Sequence, residues 1–249
     1  MMALDPLNNL DEWPLRNFDK FIVLCGERCV SEVNLTGSNT DPLMYKHHAS
    51  LTAALKEQIP NCKLGLRTNG AMAESHPEIW SLYDKASISI TSFDADIYKA
   101  TMGCGAPPNI SALLKLKPEM PVKVNVVLCP EVMGEDIKRT LDILTDAGIK
   151  TVNLREPYGQ PHLGSPLKNP TGSRLGMPRY DWKGMDVTYW DVHYVEVESV
   201  NLYANGIVSE TYPITKGHAP NGEVIAQQNW TRSGRQRPQW LKYDKELTA

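Results

Sequence analysis

The sequence predicts an α/β protein in which parallel strands alternate with helices, and in which the sheet has one apolar face and one polar face. Two observations carry this. Five strand-like segments are each separated from the next by a helical pattern, the order that makes βα units with parallel strands. Within those segments aliphatic and polar residues alternate. In 32–37, Val33 and Leu35 point one way while Asn34 and Thr36 point the other. In 63–69, Leu64 and Leu66 oppose Arg67 and Asn69, and the pattern returns in 87–91, 122–126 and 151–155. Parallel strands covered on both faces read as continuous apolar runs. Alternation with a period of two therefore predicts helices on one side and a polar, ligand-holding wall on the other. That lining favours a curled partial barrel over a flat doubly wound sheet, and no G-x-G-x-x-G dinucleotide fingerprint is present.

The elements follow in order. Residues 14–29 read as a helix, with Leu15, Phe18, Ile22 and Cys25 near helical spacing. A strand is expected at 31–38, then a helix at 44–59 that Pro60 ends. Strand 63–68 precedes a short helix at 77–83 with Pro in its first turn. Strand 86–92 leads into helical segments from Asp94 and from Asn109. After strand 122–128, residues 134–147 form the clearest amphipathic helix, with Ile137, Leu141 and Leu144 on one stripe and Gly148 as its cap. Strand 150–155 completes the series. Residues 1–157 are thus read as one barrel-like domain and 158–249 as an extension. Within the extension, 158–185 is rich in Gly, Pro, Arg and Lys and reads as a long ordered loop or linker. Segments 191–203 and 207–214 flank Asn205-Gly206, a strong β-hairpin signal, and a polar tail begins at Gly217.

At 249 residues, with 41% hydrophobic and 22% charged content, the chain has an ordinary globular composition. A net charge of −3 argues against a dedicated nucleic-acid binder. No apolar stretch approaches membrane-spanning length, and the amino terminus lacks the pattern of a signal peptide. Five cysteines without framework spacing fit a reducing cytoplasm. A cytoplasmic protein that contacts no membrane is expected.

Binding residues in such folds lie at the carboxyl ends of strands. This singles out the loops at 37–42, 68–70, 91–94, 128–131 and 156–160. Thr36-Gly37-Ser38-Asn39-Thr40-Asp41-Pro42 lies between a strand and a helix. Gly37 lets backbone approach a ligand, and short hydroxyl and amide groups beside a helix amino terminus suit an ammonium, carboxylate or phosphate. The same residue types also serve as ordinary turn and cap chemistry.

Taken in order, these elements resemble the radical S-adenosylmethionine enzymes, in particular the branch similar to molybdenum-cofactor-biosynthesis protein A. There the second strand ends in a motif beginning Thr-Gly-Gly-Glu-Pro, which recognises the amino group of S-adenosylmethionine. Here 33–43, with Thr36, Gly37, Ser38, Asn39 and Thr40, stands in that place with a longer, altered turn. The family's Thr-Asn-Gly is found as Thr68-Asn69-Gly70, which makes Asn69 a candidate. The segment from Ile88 to Asp94, followed by 95–103, is the most specific match. By resemblance, Ser89 and Thr91 contact the methionine carboxylate or ribose, Asn125 contacts the ribose, and Arg155 faces the same chamber. The resemblance covers about residues 15–157 and implies a partial (β/α)6 TIM-like barrel.

The family holds a 4Fe-4S cluster through three cysteines spaced C-x3-C-x2-C after the first strand, and cluster ligation demands thiolates. Cys25 and Cys29 have the first interval, but the third position is Glu32, and both fall in the helix before the second strand. The expectation is a barrel missing its first strand, with the cluster ligands absent from this chain and lying upstream of Met1, as in a truncated or split enzyme. In full-length form the resemblance implies a 5′-deoxyadenosyl radical that abstracts hydrogen from a small-molecule or peptide substrate, with an electron-donor protein as partner. Two other readings stand beside it. One is a cluster-free module or pseudoenzyme for S-adenosylmethionine or a nucleoside, and the other is a barrel lyase or aldolase using Lys123 or Arg155. The remaining chemistry-bearing residues have plainer readings. Cys25 and Cys29 are read as buried helix cysteines, Cys129 as packed or at the chamber mouth, and His47 and His48 as solvated or capping. His162 and His193 lack a second ligand at zinc spacing. Arg232, Arg235, Arg237 and Lys242, among Trp230 and Trp240, are read as a solvated tail. A missing first strand would expose a sheet edge, so the isolated chain is expected to be marginal or to depend on another copy.

Overall fold

Alternate residues do sort onto opposite faces of a sheet, and the aliphatic face is sealed over most of β2, β4, β5 and β8 while Val33 and Leu35 at its edge are half-buried. The computed structural model describes residues 8–37, 40–103, 105–156, 163–190 and 198–211. Chain order is α1 (Phe18–Glu27), β1 (Glu32–Thr36), α2 (His48–Gln58), β2 (Lys63–Thr68), α3 (Pro77–Ser81) and β3 (Lys85–Ile90). Then come α4 (Ala95–Met102), α5 (Ile110–Leu116), β4 (Val122–Val127), α6 (Glu135–Asp146) and β5 (Thr151–Arg155). The last strands are β6 (Gly172–Arg174), β7 (Met177–Trp182), β8 (Met185–Trp190), β9 (Glu198–Leu202) and β10 (Val208–Thr211). Eight strands run in the order β1-β2-β3-β4-β5-β8-β7-β6, and β9 and β10 form a separate antiparallel pair. Pairs β1–β2, β2–β3, β4–β5 and β5–β8 are parallel, whereas β8–β7 and β7–β6 are antiparallel. The parallel α/β class is as expected. Among the described residues β1 and β6 end this order without pairing to each other, so the strands do not close a ring.

The chain divides into two compact units, and the division falls inside β3 after Ile88. The first holds residues 1–88, 112–121 and 196–228. Leu64 and Leu66 of β2, which register opposite Val33 and Leu35 of β1, are 0% and 1% exposed. Leu51 and Leu55 of α2, with Trp80 and Tyr83, are buried in the same unit. The hairpin signal is correct for the described residues: β9 and β10 flank the Asn205-Gly206 turn and pack on α1. Asn17 Nδ2 donates to Gly206 O at 2.7 Å, and Arg28 pairs with Glu210. Gly206 has φ +82, and a Cβ there would lie 2.7 Å from Arg16 Cδ, so the turn needs glycine both for its conformation and for room. Residues 191–197 and 212–249 fall outside the described residues.

The second unit holds residues 89–111, 122–195 and 229–249. Val124, Val126, Val152, Leu154, Val187 and Tyr189 line one face of β4, β5 and β8 at 0% exposure. Each aliphatic side chain buried this way contributes about 1.5–3 kcal/mol relative to exposure. Ile137, Leu141 and Leu144, the predicted stripe of α6, are buried as well. That helix meets the later strands through Trp182 Nε1, which donates to Asp142 Oδ1 at 2.8 Å.

Four sequence expectations need correction. The stretch at 158–185 is not a loop throughout: β6, β7 and the first residue of β8 lie in it, and β8 becomes a sixth parallel strand beside β5. Tight turns build this arrangement. Leu175-Gly176 and Lys183-Gly184 both have positive φ at each residue, the conformation of two-residue hairpin loops. His48 is not solvated but 3% exposed, and Cys29 is exposed rather than buried, with φ 50 just beyond α1. Pro14–Asn17 and Met44–His47 also lie outside the helices assigned to them, which begin at Phe18 and His48.

Candidate functional site

The polar face is real in both units, and register fixes which residues share it. In the first unit the face carries Glu32, Asn34 and Thr36 of β1, then Lys63, Gly65 and Arg67 of β2, with Lys85 and Ser87 beyond. Asn34 Nδ2 donates to Glu32 at 2.7 Å, and Lys85 pairs with the same carboxylate. Burial would push the Glu32 carboxyl up, but Lys85 and Asn34 outweigh it and hold the group below its usual range. A Cβ on Gly65 would lie 2.1 Å from Asn34 Oδ1. The absent side chain is what lets Asn34 lie across β2.

At the carboxyl ends of β1 and β2, one carboxylate joins two turns that the sequence had singled out separately. Asp41 Oδ1 accepts from Leu43 N at 2.9 Å, which caps the 3₁₀ turn at Pro42–Met44. Thr68 Oγ1 lies 2.9 and 2.7 Å from the two Asp41 oxygens, and Asn69 N donates to Oδ2 at 2.9 Å. Thr68 Oγ1 accepts in turn from Gly70 N at 2.9 Å, and Asn69 Oδ1 accepts from Ala71 N at 2.9 Å. Gly37 is required here, because a Cβ would lie 1.7 Å from Thr40 O. Thr36 and Gly37 are exposed, Thr40 and Asn69 half-buried, and Ser38 and Asn39 fall outside the described residues. Beneath this turn His48 Nε2 donates to Pro42 O at 3.0 Å and Nδ1 lies 2.7 Å from Tyr83 Oη. A carbonyl only accepts, so the neutral ring carries its proton on Nε2 and takes the Tyr83 hydroxyl proton at Nδ1. Burial holds the His48 pKa below the ordinary value of 6.5 against the opposing pull of the Pro42 carbonyl and Asp41.

In the second unit the polar face carries Lys123, Asn125 and Val127 of β4, Thr151, Asn153 and Arg155 of β5, and Asp186, Thr188 and Trp190 of β8. Asn125 is buried, and its Oδ1 accepts from Asn153 Nδ2 at 3.3 Å. Arg155 and Trp190 register directly opposite each other at the carboxyl ends of their strands, and both are half-buried. Ser89 is half-buried. Thr91 is buried, 2.6 Å from Thr101 Oγ1 of α4. Thr101 donates to Ile97 O at 2.7 Å, so the Thr91 proton goes to Thr101. Just beyond, Ser92 Oγ donates to Asp136 Oδ1 at 2.9 Å and accepts from Asp94 N at 2.9 Å, fixing the start of α4. Glu156 is buried, and its Oε1 accepts from Leu163 N at 2.7 Å and Gly164 N at 2.8 Å. Lys123 is the second residue of β4 and sits at the amino end, away from the loops.

Thr36, Gly37, Thr40 and Asn69 therefore group in the first unit, and Ser89, Thr91, Asn125 and Arg155 in the second. Sequence reading missed Asp41 as a tie between turns. An Asp before Pro marks a helix cap, but nothing in one sequence shows that it reaches Thr68, 27 positions on. It also missed Asn153, whose place on the alternating face was visible, and Thr188 and Trp190, which lie at 186–190 between the supposed loop and the expected hairpin. Two cavities lie away from the predicted loops. One, of ≈ 350 Å³, is lined by Lys56, Asn61, Cys62, Lys63 and Asp84. The other, of ≈ 310 Å³, is lined by Thr171, Arg179, Tyr180, Asp181, Gly184, Met185 and Asp186.

The described cysteines do not form a cluster-binding set. No group of three or more His, Cys, Asp or Glu that could hold a metal occurs among the described residues. Burial, with Cys62 nearby, pushes the Cys25 thiol up to about 11. Burial and then Glu131 push Cys129 to about 11. Among the described residues no helix is long and apolar enough to cross a membrane.

No family model matches the chain, and no curated protein matches it. Among solved structures it is similar to SuiB of Streptococcus suis bound to S-adenosylmethionine, at 17% identity and a TM-score of 0.46, over 61% of this chain and 35% of SuiB. Against SuiB determined alone the identity is 13% and the TM-score 0.49, over 76% and 47% of the two chains. A domain of pyruvate-formate lyase-activating enzyme from Bacteroides vulgatus matches at 16% identity and a TM-score of 0.41, over 51% of this chain and 81% of that one. This chain thus spans less than half of SuiB. Likeness at this level leaves any assignment to the residues of the chain itself.

Proposed function

We propose that the protein binds S-adenosylmethionine, or a closely related adenosyl compound, as a member of the radical S-adenosylmethionine superfamily, with a branch like molybdenum-cofactor-biosynthesis protein A as the finer reading. The observation that carries this is the buried amide of Asn125 on the polar face of β4, with the Arg155 guanidinium on the same face nearer the carboxyl end of neighbouring β5. Carboxamides pair well with ribose hydroxyls, and a guanidinium recognises a carboxylate with two parallel hydrogen bonds. The motif resemblance assigns Thr36, Gly37 and Thr40 to the amino end of the ligand.

Cleavage to a 5′-deoxyadenosyl radical requires a 4Fe-4S cluster, and the described cysteines do not fit one. The proposed role of these residues is accordingly limited to holding and orienting the adenosyl compound. Isothermal titration of the whole protein with S-adenosylmethionine tests it. Saturable binding that Asn125→Ala and Arg155→Ala each weaken about tenfold or more is the expected result. Absence of heat at millimolar ligand, or binding indifferent to both changes, would remove the reading.

A further inference from the structure

Thr188 is 0% exposed, and its hydroxyl has no hydrogen-bond partner. It sits on the polar face of β8, in register with Asn153 of β5 on one side and Arg179 of β7 on the other. Asn153 leads on through its 3.3 Å bond to Asn125. A buried hydroxyl without a partner costs stability, and valine would fill the same space without that cost. Charge around it is already balanced, since Arg179 Nε donates to Asp186 Oδ1 at 2.6 Å. Those two residues also line the ≈ 310 Å³ cavity. Arg179 is half-exposed, lines that cavity and registers beside Thr188.

We infer that Asn153 and Thr188 form a second subsite, abutting the adenosyl site through Asn125. It takes a neutral group with a hydrogen-bond donor and acceptor side by side. A peptide amide and a pair of sugar hydroxyls both present that chemistry: the carboxamide of Asn153 pairs with either, and the Thr188 hydroxyl both donates and accepts. A neutral group is favoured, because Arg179 and Asp186, the charges beside Thr188, already pair with each other. Reading the subsite as a substrate site rests on the adenosyl proposal, but the subsite itself does not.

The test compares wild type, Thr188→Val and Thr188→Ser in the full chain. Thr188→Val should raise the urea midpoint by about 0.5 M, while Thr188→Ser, which keeps the hydroxyl, should not. In side-chain NMR, N-acetylglycine N-methylamide and methyl β-D-ribofuranoside are titrated separately. Saturable shifts of the Thr188 methyl and Asn153 amide signals should appear in wild type with one probe or both, and the Thr188→Val protein should lose the Asn153 shift. The responding probe says whether the group is an amide or a diol. An unchanged or lowered midpoint in Thr188→Val, no shift with either probe, or Asn153 shifts that persist in Thr188→Val overturns the inference. S-adenosylmethionine titration separates the two proposals. Affinity unchanged by Thr188→Val keeps the subsite distinct, and its loss would merge Thr188 with the adenosyl site and end the claim. Failure of wild type to bind S-adenosylmethionine, with the Thr188 results intact, would sink only the adenosyl reading.

Discussion

Replacing Asp41 by alanine removes a carboxylate that ties the β1 turn to the end of β2. Its oxygens accept from Leu43 N and Asn69 N at 2.9 Å each and from Thr68 Oγ1 at 2.7 Å. Hydrogen bonds to a charged group are worth about 1.5–3 kcal/mol each. Asp41 is half-buried, so water recovers part of that, and a total loss of about 3 kcal/mol is expected. Asp41→Asn should cost nearly as much although its shape is unchanged. One of its two terminal atoms becomes a donor that must face Leu43 N–H, Asn69 N–H or the Thr68 hydroxyl proton. A double-mutant cycle with Thr68→Val isolates the pair, because the bond that Thr68 Oγ1 accepts from Gly70 N is lost in both arms and cancels. Urea denaturation of the four proteins should give a coupling energy of about 1.5 kcal/mol. Coupling below about 0.5 kcal/mol would mean that Asp41 does not hold Thr68, and the account of the clamped turn would fall with it.

Three further outcomes follow from the same geometry. His48 is held below its ordinary pKa of 6.5, so the unfolded chain takes up its proton first. Its contribution is complete above pH 6.5 and declines as pH falls toward the lower folded value. His48→Phe should flatten that part of a stability–pH curve, and an unchanged slope would contradict the buried neutral tautomer. Gly37→Ala places a methyl group 1.7 Å from Thr40 O. Displacement of the turn should lower the urea midpoint by about 0.5 M or more, and a wild-type midpoint would show that the turn does not need this close approach. Cys129, at about 11, is about one part in a thousand thiolate at pH 8. Iodoacetamide followed by peptide mass mapping should label exposed Cys29 well before Cys129. The reverse order would argue for an activated thiol at the end of β4.

Much of the scaffold was legible because its signals are local. Leu64, Leu66, Val124, Val126, Val152 and Leu154 alternate with polar residues in the sequence and are sealed in the structure. The stripe on α6 and the turn at Asn205-Gly206 follow from periods and turn chemistry that a few adjacent residues carry. The supposed loop at 158–185 shows where such signals fail. Arg, Lys, Pro and Gly dominate its composition, but Tyr180, Met185, Val187 and Tyr189 still alternate within the strands it leads into. Their turns use Leu-Gly and Lys-Gly rather than the more readable Asn-Gly.

The candidate site divides the same way. By itself the sequence determined which strands would present amides, hydroxyls and a guanidinium on one face, because a strand's alternation is set by backbone pleating alone. Only the tertiary structure decided which of those groups meet. Asp41 reaching Thr68, Asn153 reaching Asn125, and His48 buried between Pro42 and Tyr83 all depend on the register between strands and the docking of helices. Those contacts join residues far apart in the chain. Burial then sets what each group does, since the same hydroxyl is a solvated side chain at Thr36 and an unpartnered polar atom at Thr188.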